Sequence, residues 1–160
     1  MKAETAVHAF EAEINQTVRD LFQTMLELDA APTTEAMPKG QSMITAVIAF
    51  AGPWKGDLVL ECGRPQALRF AQRFLQMDDL EEGSEDVTSS IAELSNIVAG
   101  NLKVVLPAGV SLGTPSLIEG VDYAVRVYGG KLINHTVYTT DAGSFSIRLI
   151  EDSNASGEKE

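Results

Sequence analysis

The sequence predicts an α+β fold, a mostly antiparallel sheet packed with a long N-terminal helix, a second helix and a third. Three observations predict it. Apolar residues recur at spacings of three and four in three separate segments. Runs of β-branched and aliphatic residues, bounded by Gly, Pro and Asp, flank those segments as two pairs. At 160 residues, with 44% apolar and 22% charged content, the chain is long enough to bury one core. We read residues 1–150 as one domain and residues 151–160, "EDSNASGEKE", as a disordered acidic tail.

The first helix spans about residues 4–28. Phe10, Ile14, Val18, Leu21, Met25 and Leu28 give it one apolar face. "APTTEAMPKG" carries two prolines and a glycine and reads as a loop. "SMITAVIAF" and "GDLVLEC" read as strands, and the "AGPWKG" between them makes an antiparallel hairpin. Pro65 suits the first turn of a second helix that runs to about Gln76, with Leu68, Ala71 and Leu75 inward.

"MDDLEEGSED" is an acidic, solvated connector with no histidine and no ligand spacing for a metal. Ser84 is the N-cap of the third helix, with Glu85 and Asp86 where a helix N-terminus favours negative charge. That helix runs to about Val105 and stops before Pro107. "TPSLIEG" holds a short strand, and "DYAVRVY" is a strand or an extended connection. "KLINHTVYTT" and "SFSIRLI" flank the turn "DAG" as a closing hairpin.

A net charge of −11 argues against nucleic acid, because phosphate binding needs a basic surface. No run approaches the ~18 apolar residues of a membrane span, and the N-terminus has charges where a signal peptide needs an apolar run. A cytoplasmic protein is the expectation. The lone Cys62 sits at a strand end and reads as a small packed residue. His8 and His135 have no sequence neighbours that suggest a metal pair or a triad. Trp54, between Pro53 and Lys55, reads as an aromatic packing a turn. A conventional enzyme with its own nucleophile is therefore disfavoured.

The informative segment is "SSIAELSNIVAGNL" in the third helix. A helix turns about 100° per residue. With Ser89 at zero, Glu93 falls near ~40°, Asn96 near ~−20° and Gly100 near ~20°, with Lys103 just beside them. Ile91, Leu94, Val98, Leu102 and Val105 cluster around ~180°. The polar stripe thus faces away from the core. It is either an ordinary solvated face or a surface for a partner. Asparagine and glycine both cost helix stability, which a merely solvated face does not require. Gly100 would also let another backbone approach closely. Asn101, nearer the core side, reads as bonding locally to backbone.

The same segment resembles the signature helix of the CheC/CheX/FliY family of chemotaxis phosphatases. That signature has Asp or Ser, three residues, Glu, two residues, Asn, and a downstream proline. Ser89, Glu93 and Asn96 match in register, "NIVAGN" resembles the CheX branch, and Pro115 in "GTPSLIEG" is the matching proline. The order of elements resembles a single CheX/CheC-like domain over about residues 4–150. The first helix holds no Glu-x-x-Asn, so one active stripe is expected, as in CheX.

The resemblance implies a phosphatase that hydrolyses the aspartyl phosphate of a CheY-like receiver. Glu93 and Asn96 would be the catalytic pair, and Ser89, Gly100 and Lys103 would meet the partner. It implies no cofactor of the chain's own, a Mg2+ in the receiver, and a homodimer. A non-catalytic interaction module in a chemotaxis or flagellar-switch complex is the alternative, since a fold does not fix a function.

Overall fold

The computed structural model describes residues 2–38, 40–121 and 130–152. "DYAVRVY" and residues 153–160 lie outside the described residues, as does the side chain of His8. The described elements are an α+β arrangement of three α-helices and one antiparallel sheet. In chain order they are α1 (Lys2–Leu21), β1 (Ala31–Thr33), β2 (Ser42–Ala51), β3 (Gly56–Gly63), α2 (Arg64–Leu75), α3 (Glu85–Leu102), β4 (Ser111–Leu112), β5 (Ser116–Val121), β6 (Gly130–Thr140) and β7 (Gly143–Asp152). β7 thus takes Glu151 and Asp152 from the segment expected to be tail.

The strands order as β1-β6-β7-β3-β2. The far edge of β2 is shared by β5 along Ser42–Val47 and by β4 at Phe50 and Ala51. Both expected hairpins form. β2 and β3 pair from Met43↔Gly63 to Phe50↔Gly56. β6 and β7 close at Thr140↔Gly143, with the Thr140 hydroxyl donating to the Gly143 carbonyl at 2.7 Å. Gly52, in the first turn, has φ +107° and lies against the Gly109 carbonyl, so a side chain there meets both strain and backbone.

Alternation decides which side of each strand is inside. Ile44, Ala46, Ile48 and Phe50 of β2 are buried with Leu58, Leu60 and Cys62 of β3 and Phe145, Ile147 and Leu149 of β7. The helices supply the other half of this core: Phe10, Ile14 and Val18 of α1, Ala67, Phe70 and Ala71 of α2, and Ile91, Leu94 and Val98 of α3. Four rings join the layers. Phe145 stacks on Phe22 at 4.6 Å and on Tyr138 at 5.1 Å, and Phe70 meets Phe22 and Phe145 edge-on at 5.4 and 5.7 Å. The Tyr138 hydroxyl donates to the Asn15 side-chain oxygen, which ties β6 to α1. Burial pushes the Tyr138 phenol well above its ordinary range.

Three sequence expectations need correction. Met25 is 45% exposed, because α1 loosens into a π-helical turn at Phe22–Leu26 and Leu26 takes the buried place. That turn ends at Glu27 in the left-handed conformation, whose N–H donates to the Phe22 carbonyl. Leu75 is 36% exposed. The inward arc of α2 is Ala67, Phe70, Ala71 and the partly buried Phe74, and Leu75 lies about 100° past Phe74. The segment read as loop begins with β1, whose Ala31, Pro32 and Thr33 pair with Thr139, Tyr138 and Val137. Proline is tolerated there because β1 is an edge strand.

The ring stack makes Phe145 the most consequential single side chain of the sheet. Phe145→Ala should lower the unfolding free energy by about 3–5 kcal/mol, measured by urea denaturation. A loss below about 1 kcal/mol would show that the stack is dispensable.

Candidate functional site

α3 is built as a two-sided helix. Ser84 sits at its N-cap with extended backbone, and its carbonyl accepts from Val87 and Thr88 N–H at 3.1 Å. The expected side-chain cap is absent: the Ser84 hydroxyl is buried and has no hydrogen-bond partner among the described residues. Val87, Ile91, Leu94, Val98 and Leu102 are buried, as the helical wheel requires, and Val105 is half-buried. Ser95 and Ala99, on the flank, are buried too.

Beyond Glu85 and Asp86 in its first turn, the polar side chains of α3 divide into two groups. Four of them bond to the helix's own carbonyls: Thr88 to Glu85 at 3.1 Å, Ser90 to Asp86 at 2.8 Å, Ser95 to Ile91 at 2.9 Å and Asn101 to Ile97 at 2.9 Å. This is the local back-bonding that such residues favour, and Asn101 behaves as its position implied. The other group is the stripe. Ser89, Glu93, Gly100 and Lys103 are exposed and Asn96 is half-buried. Among the described residues, none of the four side chains of the stripe has a hydrogen-bond or ion-pair partner.

The structure thus brings Ser89, Glu93, Asn96 and Gly100 onto one face of one helix. Lys103 opens the short 3-10 turn that continues α3 to Val105. A Cβ built at Gly100 meets nothing within 4 Å. Nothing among the described residues therefore requires glycine there. Pro115 directly precedes β5, which pairs with the far edge of β2.

Two identical side chains in one helix make a useful contrast. Asn101 satisfies its amide on the backbone, whereas Asn96, with no described partner, holds both its donor and its acceptor available. Glu93, one turn earlier, has no lysine or arginine paired to it among the described residues. Together they offer an amide and a carboxylate in fixed register, with an open backbone position beyond them. Such a surface can orient a water and receive a cation.

The remaining candidates fall into structural roles. Cys62 is fully buried in the core, and burial followed by the Glu61 charge pushes its thiol up to about 12. Trp54 packs on Phe50 at 5.4 Å and Phe10 at 5.9 Å, which fills the first hairpin turn. His135 lies on the face of the sheet away from the helices, beside Arg148 and Glu61. Burial and then Arg148 lower its pKa, against an opposing pull from Glu61. Among the described residues, no three His, Cys, Asp or Glu side chains converge where they could hold a metal ion. No described helix is long and apolar enough to cross a membrane.

One feature escaped the sequence reading. A groove of about 290 Å³ runs between α1 and α3, with Glu13 and Asp20 on one side and Ile97 and Asn101 on the other. The recurrence of Glu13, Thr17, Asp20 and Thr24 at spacings of four, three and four marks that edge of α1. Only the packing of the two helices shows what it faces.

Comparison with known proteins bears on this arrangement. The family described as chemotaxis phosphatase CheX matches the chain over residues 44–136. A relative named CheY-P phosphatase CheX, from Thermotoga maritima, is 24% identical over 126 residues, 77% of this chain and 81% of the relative. The crystal structure of the chemotaxis protein CheX from Vibrio vulnificus superposes with a TM-score of 0.73 at 20% identity, covering 88% of this chain and 94% of that one. The crystal structure of a CheX-CheY-BeF3-Mg2+ complex from Borrelia burgdorferi gives a TM-score of 0.64 at 17% identity, with 91% and 96% covered. At these identities the two structures establish the fold.

The open space at Gly100 gives a test within the chain alone. Gly100→Ala should stabilise the protein by about 0.5–1 kcal/mol through helix propensity. Urea denaturation measures it, and a destabilised variant would mean that the position is constrained by the fold.

Proposed function

The chain belongs to the chemotaxis phosphatase CheX family, and on that premise we propose that it hydrolyses the aspartyl phosphate of a CheY-like receiver. The observation that carries this reading is the exposed stripe of α3 on which Glu93 and Asn96 stand three residues apart with no partner among the described residues. The relative from Thermotoga maritima bears the name of a CheY-P phosphatase, and a structural neighbour is in complex with CheY, BeF3 and Mg2+.

The chemistry suits these residues. An acyl phosphate has a good leaving group, so a strong nucleophile on the phosphatase is unnecessary. Water attacks phosphorus in line as the bond to the aspartyl oxygen breaks. The products are inorganic phosphate and a free aspartate, and the water's proton leaves with the phosphate or to solvent. Asn96 positions that water through its amide, which is not a base at neutral pH. Glu93 pairs with a lysine of the receiver's active site and fixes the register of Asn96. The Mg2+ that offsets the phosphoryl charge belongs to the receiver, and the chain contributes no cofactor of its own. Ser89, Gly100 and Lys103 border the contact, Gly100 by leaving room for a receiver loop. This reading places the chain in the cytoplasm with its partner.

Phosphate release from a phosphorylated CheY-like receiver of the same organism tests this. Wild type should accelerate it, and Asn96→Ala should lose about 100-fold of that acceleration. Glu93→Ala should also weaken binding of the receiver. Wild type that binds the receiver without speeding release would make the chain an interaction module instead. An Asn96→Ala variant as fast as wild type would remove the water-positioning role.

The same reading includes a homodimer whose sheet continues across subunits. Supporting it, β5 lies at the edge of the sheet with Leu117 38% and Ile118 40% exposed. Light scattering coupled to size exclusion should give twice the mass of one chain at micromolar concentration. A strict monomer would exclude this assembly.

A further inference from the structure

Beside the Glu93/Asn96 stripe lies the groove between α1 and α3. Its α3 wall is Ile97, the residue next to Asn96 and one turn beyond Glu93, so a body seated on the stripe overhangs the groove. Its α1 wall carries Glu13 and Asp20, two helical turns apart. Its apolar part is the half-buried Ile97, the buried Leu21 and Met25, which the π-helical turn rotates out of the core, with Thr17, Thr24 and Asn101 lining the rest.

The two carboxylates are held in place. Gln16 donates to both oxygens of Asp20 at 3.0 Å, and the Thr17 hydroxyl donates to Glu13 at 3.2 Å. Thr17 is itself only 7% exposed, so its bond anchors Glu13 at the rim. Neither carboxylate is paired with a described lysine or arginine. Two oriented, unneutralised carboxylates beside an apolar patch form a surface that favours a basic, partly apolar element.

We propose that the α1–α3 groove is the specificity-determining part of the receiver-docking surface. It receives an element of the CheY-like receiver, next to the phosphorylated site, that bears a lysine or arginine beside an apolar side chain. The assignment rests on the function proposed above and extends it from the reacting atoms to the choice of partner. Glu13 and Asp20 attract and align that element, Met25 and Ile97 bury its apolar part, and none of the four touches the phosphoryl group.

The test uses the full chain and a CheY-like receiver of the same organism, activated with beryllofluoride for binding and phosphorylated for turnover. Glu13→Lys/Asp20→Lys should raise Kd for the activated receiver, and KM for phosphate release, by at least about tenfold. Its kcat at saturating receiver should stay within about twofold of wild type. Glu13→Gln/Asp20→Asn, which keeps size and helix, should show a smaller rise in Kd and a weaker salt dependence than wild type. Thermal melting of both variants controls for folding.

Asn96→Ala, in contrast, should lower kcat with little change in Kd. If wild type binds and hydrolyses and both groove variants match it in Kd, KM and salt dependence, the groove assignment is overturned and the phosphatase reading stands. If wild type neither binds the receiver nor speeds release, the phosphatase reading falls and takes the groove with it.

Discussion

Burial of α3 is the constraint on which the rest of the structure depends. α3 packs against α1, α2 and the inner faces of β2 and β3, so its apolar side is committed to the core along its whole length. Six side chains from Val87 to Leu102, with Ser95 held to the Ile91 carbonyl, fix its rotation about its own axis. Once that rotation is fixed, the opposite stripe has no freedom to turn inward. The orientation of Glu93 and Asn96 therefore follows from core packing, not from any bond that they make. A site so placed is rigid without a supporting shell of its own, because its backbone is a helix pinned from behind.

The aromatic stack has a related role. Phe22, Phe70, Tyr138 and Phe145 come from four different elements, and their contacts hold the end of α1 and α2 against the sheet. The Asn15–Tyr138 hydrogen bond fixes α1 further. The position of α1 then decides the width of the groove beside α3, and the π-helical turn decides what faces it. In an unbroken α-helix Met25 would continue the buried row of Leu21. The extra residue in the turn gives that place to Leu26 and leaves Met25 on the surface.

Much of this was readable from the amino-acid order. Periodicity located the three helices and the two hairpins, because both elements announce themselves through local spacing. The outward direction of the Glu93 stripe was readable for the same reason, since it depends only on the helical turn angle. What stayed hidden depended on distant contacts. β1 is three residues around Pro32, and nothing local marks it as a strand until β6 lies alongside. Leu75 has the right spacing for burial but lies where the core ends. Ser84 has the right identity for a cap, yet its hydroxyl makes no capping bond. The groove could not be found because its walls are some 80 residues apart in sequence and meet only through the core. The reaction itself came from resemblance, since an amide and a carboxylate one turn apart have no chemistry of their own.

That last point explains the economy of the surface. An enzyme that carries its own nucleophile must bury it, tune its pKa and exclude water around it. On the proposed reading none of this is needed, because the phosphoryl group, its metal and the lysine all arrive on the partner. What remains for this chain is position, and position is what a buried helix supplies. Asn96 and Glu93, three residues apart, are separated by about 4.5 Å along the axis of a helix pinned from behind. Recognition can then be varied on α1 without disturbing the reacting pair on α3. On that reading Glu13 and Asp20 of α1 and Met25 of the π-helical turn, joined to α3 only through the core, are free to differ with each partner. On the proposed reading, the two-sided packing of α3 separates a fixed reacting pair from a variable flanking wall.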